Sequence, residues 1–164
     1  MRTLPLLDAT DRVFVAGSWR NSASGQTLPL TNPSDGSALA SIARGNAADI
    51  DAAVQSAQTA LDGEWGRLTA TERGRWLMRL SARVQEAADE LAQLEAQDVG
   101  KPLKQARADA VAMARYFEFY GGAADKVMGE TIPFAAGYTA LTLREPHGVT
   151  GHIVPWNYPM QIIG

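Results

Sequence analysis

The 164-residue chain contains no cysteine. That absence excludes disulfides, thiolate metal sites and any cysteine nucleophile drawn from these residues. Two histidines, His147 and His152, are too few to build a zinc site. No apolar run approaches the roughly 20 residues that a membrane-spanning helix requires. Between Met1 and Ala16 the charges of Arg2, Asp8, Asp11 and Arg12 break up the apolar residues, so no signal-peptide core forms. A basic block is also missing: 15 Lys and Arg stand against 18 Asp and Glu, for a net charge of −3. This balance argues against nucleic acid as a partner. The expectation is a soluble cytoplasmic protein that engages neither nucleic acid nor a membrane.

What is present suits a packed fold. A composition of 46% hydrophobic and 20% charged residues excludes disorder and a collagen-like fibre. At about 150 residues per domain the length allows one ordinary domain. A complete domain of this size buries about 68% of its unfolded surface.

Val13–Trp19 and Thr27–Thr31 are short strand-like runs about the turn-rich Ser22–Gly25, which predicts a hairpin between them. Asn32-Pro33-Ser34-Asp35-Gly36 then has turn chemistry, where the chain is expected to leave the hairpin. Helical patterning begins at Asn46, an N-cap candidate with Asp49 in the first turn. Its apolar stripe is Ile50, Val54, Ala57 and Leu61, and Gly63 is its stop. Thr69-Ala70-Thr71-Glu72 has the spacing of a capping box ahead of a helix with Leu77, Leu80 and Val84 on its apolar face. A third helix spans about Ala87 to Val99 with Leu91 and Leu94 inward, and Gly100-Lys101-Pro102 ends it. The longest pattern, Leu103 to about Ala124, repeats alanine at 106, 110 and 114, then places Phe117 and Tyr120 as bulky filling.

Beyond Gly129 the pattern becomes strand-like, over Tyr138–Arg144 and again over Gly148–Val154, which ends at Pro155. Met160–Gly164 reads as the opening of an apolar helix without a stop signal. A strand feeding a helix is the first half of a βαβ crossover, and a lone parallel-type strand has no ladder partner. Another chain could cover it, or the sequence is the front part of a longer protein; the second reading is adopted as the expectation. The fold class is α/β.

Site chemistry concentrates at Ile153-Val154-Pro155-Trp156-Asn157-Tyr158-Pro159, at the carboxyl end of the second expected strand, where open α/β sheets bind ligands. Two prolines bracket Trp156 and Asn157 and would hold the Asn157 amide in one place, which is what an oxyanion donor requires. A plain rigid turn with Trp156 packed beneath it fits the same residues.

Several stretches, in order, resemble the aldehyde dehydrogenase superfamily. They are Val13–Trp19, Asn32–Gly36, Asp98-Val99-Gly100-Lys101-Pro102, Phe119–Lys126, Arg144-Glu145-Pro146-His147-Gly148-Val149 and Pro155-Trp156-Asn157-Tyr158-Pro159. The similarity runs from about Arg12 to Gly164 and corresponds to the family's N-terminal third. The resemblance implies a parent enzyme that oxidises an aldehyde to a carboxylic acid with NAD or NADP. In that family a cysteine thiolate attacks the aldehyde, hydride passes to the nicotinamide, and a glutamate-activated water cleaves the thioester. It also implies that Asn157 is the oxyanion-hole amide, and that Ile153, Val154, Pro155 and Trp156, with Asn157, line the cofactor cleft. The family's cysteine and glutamate are not among these residues, so this chain alone is expected to be inactive. Like the family, the chain has no G-x-G-x-x-G. Tyr158 stands where phenylalanine is commoner.

Further implications concern domains and assembly. Residues 1–134 correspond to the N-terminal hairpin and helices of the cofactor-binding domain. Residues 135–147 correspond to a strand of the oligomerisation domain, and 148–164 to the first strand and helix start of the dinucleotide-binding sheet. The intact protein would be a homo-oligomer, a dimer or tetramer. Asp109 resembles the family's monovalent-cation ligand, completed by carbonyls near Leu30 and Thr31; an exposed helix aspartate is the alternative. Lys101 and Lys126 read as structural, and His152 lacks an orienting partner. A second function class stays open, a non-catalytic truncated module that acts in assembly with a partner chain. The sequence holds no determinant of the aldehyde or of NAD against NADP.

Overall fold

The computed structural model describes residues 9–164. Arg2 and Asp8 of the charge pattern read before Ala16 therefore lie outside the described residues.

Two hairpins come first. Strand β1 (Val13–Val15) pairs antiparallel with β2 (Ser18–Arg20), matching Phe14 with Trp19. Ala16 and Gly17 connect them with φ of 53° and 74°. Positive φ at both central residues is the geometry whose twist matches paired strands. Strand β3 (Thr27–Thr31) pairs with β4 (Ala38–Ala43), with a register shift at Leu30/Thr31. The single hairpin expected between Val13–Trp19 and Thr27–Thr31 is thus two separate ones. The Asn32–Gly36 turn joins β3 to the unanticipated β4 rather than releasing the chain. Ala38–Ala43 is rich in alanine and serine, which carry little strand signal, and its pairing comes from the turn. There the Asn32 and Asp35 carboxamide and carboxylate accept from the Ser34 and Ser37 backbone N–H, each at 2.9 Å.

Helix α1 (Ala47–Asp62) starts at Asn46, whose side chain accepts from the Ala48 and Asp49 N–H, while Asp49 accepts from the Asn46 N–H at 3.0 Å. The buried Asp49 carboxylate also accepts from the Ala23 N–H at 2.9 and 3.1 Å, which ties the loop after β2 to the helix start. One side chain thus joins two elements. Asp49→Ala is expected to lower unfolding free energy by about 1–3 kcal/mol, measured by urea titration; a loss under a few tenths would show that the tie carries no stability. The apolar stripe of α1 is not covered as expected. Ile50 and Val54 are exposed, while Leu61 at the far end of the stripe is half-buried.

A single turn, α2 (Glu64–Arg67), leads to α3 (Ala70–Glu86), which opens with the expected capping box between Thr69 and Glu72. Hydrogen bonds from the Thr69 N–H and hydroxyl hold the Glu72 carboxyl below its usual range. Helix α4 (Ala88–Val99) ends at Gly100, in the left-handed conformation with φ 78°. Helix α5 (Leu103–Ala123) follows, then a 3₁₀ turn at Ala124–Lys126.

The core is the crossing of α3, α4 and α5. Ala106, Ala110 and Ala114 are fully buried, as their four-residue spacing predicts. On α3 the packed line is Gly74, Ser81 and Val84, with Leu77 half-buried; Leu80, one position off this line, is exposed. Tyr120 is exposed as well, so the filling expected of it falls to Phe117, which is half-buried. The helices meet at glycine. A Cβ on Gly74 would lie 2.4 Å from the Gly121 carbonyl oxygen. Gly74→Val is expected to cost about 1–3 kcal/mol by forcing α3 and α5 apart, seen as a lowered Tm. An unchanged Tm would mean the two helices separate freely.

After α5 the chain has little regular structure. Strand β5 (Thr131–Ile132) pairs with β6 (Ala140–Leu141), a much shorter element than the expected Tyr138–Arg144. Gly148–Val154 forms no strand, a correction to the expected first strand of the sheet. The reason is that a ladder needs a partner, and no described strand lies beside it; Ile153 is fully exposed. Its start is fixed against α1 and α2, where Gly148, Val149 and Thr150 line a groove with Ala57, Leu61 and Trp65. Helix α6 (Pro159–Ile163) then begins with proline in its first turn, where no N–H is needed. Among the described residues no helix is long and apolar enough to cross a membrane.

Candidate active-site segment

Trp156 and Asn157 form a turn between two prolines, and Tyr158 caps α6 with φ −140° and ψ 48°. The turn expected there is present. Trp156 is not packed beneath it, being 77% exposed, so a purely packing role for that ring does not hold within the described residues. Asn157 is exposed, and its side chain makes no hydrogen bond among the described residues. Its amide is open to receive a ligand oxygen. Ile153 and Trp156 present apolar surface on the same segment, and Val154 is half-buried. From Thr150 to Asn157 the described backbone donates and accepts no backbone hydrogen bond.

Immediately after this segment, Tyr158 and Gln161 meet a buried ionic cluster. Lys101 reaches back across the α4 stop, where its ammonium donates to Glu95 Oε1 at 2.5 Å and to Asp109 Oδ2 at 2.6 Å. Its side chain is 10% exposed, against 2% for Glu95 and 0% for Asp109. Asp109 Oδ1 accepts from Gln105 at 3.1 Å and from Gln161, on α6, at 2.7 Å. The ammonium also lies 4.4 Å from the centre of the Tyr158 ring.

The two carboxylates respond differently. Burial pushes Glu95 up, only partly offset by the Lys101 hydrogen bond and charge, and its Oε2 has no hydrogen-bond partner. Burial acts on Asp109 too, but hydrogen bonds from Lys101, Gln161 and Gln105 and the Lys101 charge outweigh it and hold Asp109 below its usual value. Lys101 is raised, since its bonds to Asp109 and Glu95 exceed the desolvation that would lower it.

Asp109 is therefore not an exposed helix residue: it is fully buried, and the Lys101 ammonium meets its charge. Among the described residues no group of three or more His, Asp or Glu could hold a metal ion. His152 is exposed, and contrary to expectation its Nε2 has a partner that can orient it, the Thr150 hydroxyl at 2.9 Å. Lys126 is exposed and bonds to the Gly122 carbonyl and Asp125. Sequence reasoning missed Glu95 and Gln161 and placed Lys101 only as a residue after a helix stop. The pairing of Glu95 with Lys101 spans six residues through a turn, which no helical spacing announces. A buried acid at i and i+4 from Gln105 to Asp109 was the one available signal.

Beside an apolar cavity of about 330 Å³ lie Leu30, Leu39, Leu91, Leu94, Glu95 and Met160. The inward placement of Leu91 and Leu94 is as expected, though they face this space rather than a filled core.

The fold and segment match known proteins. The family model for the aldehyde dehydrogenase family matches residues 19–164. The chain belongs to the aldehyde dehydrogenase family. It is 44% identical over 151 residues to mitochondrial aldehyde dehydrogenase family 2 member B4 of Arabidopsis thaliana, covering 91% of this chain and 28% of that protein. A solved structure of a candidate aldehyde dehydrogenase from Burkholderia cenocepacia superposes with a TM-score of 0.90 at 65% identity, over 92% of this chain and 32% of that one. The NAD+ complex of an aldehyde dehydrogenase from Bacillus cereus superposes with a TM-score of 0.91 at 36% identity, over 96% and 32%. The chain thus has part of the α/β aldehyde dehydrogenase fold and spans less than a third of the length of these relatives.

Proposed function

We propose that this chain is the N-terminal portion of an enzyme that oxidises an aldehyde to a carboxylic acid with NAD or NADP. The observation that carries the reading is the proline-bracketed turn of Pro155–Pro159, which leaves the Asn157 amide open in a chain of this family. In this role Asn157 donates to the aldehyde oxygen as negative charge develops there, and its value lies in being held in place beforehand. Ile153, Val154, Pro155 and Trp156 form one wall of the cofactor cleft with Asn157. Their exposed apolar surface and unpaired backbone fit a segment that other groups cover. When bound, the nicotinamide supplies a hydride acceptor.

The nucleophile is a cysteine, and with none among the 164 residues it must come from further along the protein. The chain alone is therefore inactive. Residues 135–147 serve the assembly of a homodimer or homotetramer; the exposure of Phe134, Tyr138 and Leu143 around the short β5–β6 ribbon favours burial against a neighbouring subunit. The protein works in the cytoplasm.

The test is to incubate the full-length protein with aliphatic and aromatic aldehydes and either NAD or NADP, and to measure reduced nicotinamide and carboxylic acid together. Equal amounts of the two products are expected with at least one aldehyde. No reduction with any pair, or reduction without acid, would overturn the proposal.

A further inference from the structure

The cluster of Glu95, Lys101, Asp109 and Gln161 meets the chain just after Asn157, at the Tyr158 ring and at Gln161 itself. Its connections run in one direction. Glu95 on α4 and Asp109 on α5 fix the Lys101 ammonium at 2.5 and 2.6 Å. Asp109 holds Gln161 at 2.7 Å, one helical turn past Asn157, and Lys101 holds the ring of Tyr158, the residue after Asn157, at 4.4 Å. The first turn of helix α6 has no side-chain cap. Its start is held from outside: by Asp109, by Lys101 on the Tyr158 ring, by the buried Met160 and by close packing of Gly164 on Met113 and Tyr116 of α5.

We infer that Lys101, Asp109 and Gln161 are positioning residues, which lock the Tyr158–Gln161 segment to the rigid α4–α5 pair and thereby aim the Asn157 amide. The inference rests on the oxyanion role proposed for Asn157 and deepens it. The physical argument is one of tolerance. A donor that stabilises developing charge must be held within a few tenths of an ångström, and a supporting shell on rigid elements supplies that precision. The Asn157 side chain makes no hydrogen bond among the described residues, and the prolines fix only the backbone at 155 and 159. The cluster adds two anchors, at 158 and 161, both on one face of the turn. An aspartate buried at 0% exposure with three donors is also a stiff one, since its geometry is determined by every partner at once.

Gln161→Leu tests this with little risk to folding, because it removes only the α6 anchor and leaves the Lys101–Asp109–Glu95 bonds intact. In the full-length protein it is expected to lower kcat about 10- to 100-fold, the scale on which a misplaced reacting group loses rate. KM for aldehyde and for cofactor should stay within about twofold, since the binding surfaces are untouched. Gln161→Glu, which cannot donate to Asp109 as a carboxylate, should behave like Gln161→Leu. Arg107→Ala, which breaks only the exposed pair with Asp89, should leave kcat unchanged. A second readout does not need activity: hydrogen exchange at the amides of residues 160–164, including Ile162 and Gly164, should speed up in both Gln161 variants.

A merely structural role would lower Tm while leaving kcat of the folded protein and local exchange at wild-type values, and that result overturns the inference. If the wild-type protein oxidises no aldehyde, the proposed function fails by itself. Faster exchange in the variants then still supports the anchoring, and unchanged exchange sinks it.

Discussion

Replacing Asn157 with alanine in the full-length protein is expected to lower kcat by about 10²- to 10³-fold, equivalent to about 3–4 kcal/mol of lost transition-state stabilisation. The amide donates to an oxygen whose charge exists only as the nucleophile adds, so its loss falls on the chemical step. Cofactor affinity and the KM for aldehyde should change little. The fold described here should not suffer, since Asn157 is exposed and its side chain makes no hydrogen bond among the described residues. That separation of rate from stability makes the result easy to read. Steady-state kinetics with one good aldehyde, alongside thermal unfolding, checks it. A variant with the wild-type kcat would show that the Asn157 amide has no part in stabilising the oxyanion.

The second large effect is on folding. Lys101→Met removes the one cation from a site where two buried carboxylates converge, leaving Glu95 and Asp109 without the charge that makes them tolerable. Breaking such a pair from one side costs about 3–5 kcal/mol at neutral pH. The pH dependence follows from the directions of the shifts. Asp109 is held below its ordinary 3.8, so its contribution is present above that value and is lost as pH falls through the lower folded value. Glu95 is raised above 4.5 by burial, so it favours folding below 4.5 and that contribution is lost as pH rises through its folded value. Lys101 is raised above 10.5, and its contribution holds until pH rises through that higher value. In the variant Glu95 loses both influences that lower it, and Asp109 keeps only the Gln161 and Gln105 hydrogen bonds against its burial, so both carboxyls protonate more readily in the folded state. Its deficit relative to wild type should therefore shrink as pH falls toward about 4. Urea titrations at neutral and acidic pH measure this; a deficit that stays constant with pH would mean the carboxylates are not what the ammonium neutralises.

The sequence announced the helices because their signals are local. Asn46 with Asp49, and Thr69 with Glu72, satisfy backbone donors within four residues, and the alanines at 106, 110 and 114 repeat at the helical period. Gly100 likewise marks its stop on its own. Strand pairing is not local. Val13–Val15 turns back at Ala16 and Gly17 to pair with Ser18–Arg20, a choice made by two backbone angles that the apolar pattern does not encode. β4 has no β-branched run to reveal it, only Ile42 beside Leu39 and four small residues. Gly148–Val154 carries the pattern of a strand and lacks a neighbour to pair with among the described residues.

At the site, the Pro155–Pro159 bracket was visible because proline chemistry is local as well. The cluster that meets it was not. Lys101, Glu95, Asp109 and Gln161 come from three helices and a loop, and Asp109 meets Gln161 across 52 positions of chain. The charge on Asp109 invited a cation, and the fold supplies one from its own Lys101.

The most direct measurement compares aldehyde-dependent reduction of NAD and NADP by this 164-residue chain and by the full-length protein, with and without a thiol-alkylating reagent. The account predicts no turnover by the 164 residues, turnover by the full-length protein, and loss of that turnover on alkylation. Aldehyde oxidation by the cysteine-free chain alone, or alkylation-resistant oxidation by the full-length protein, would contradict it.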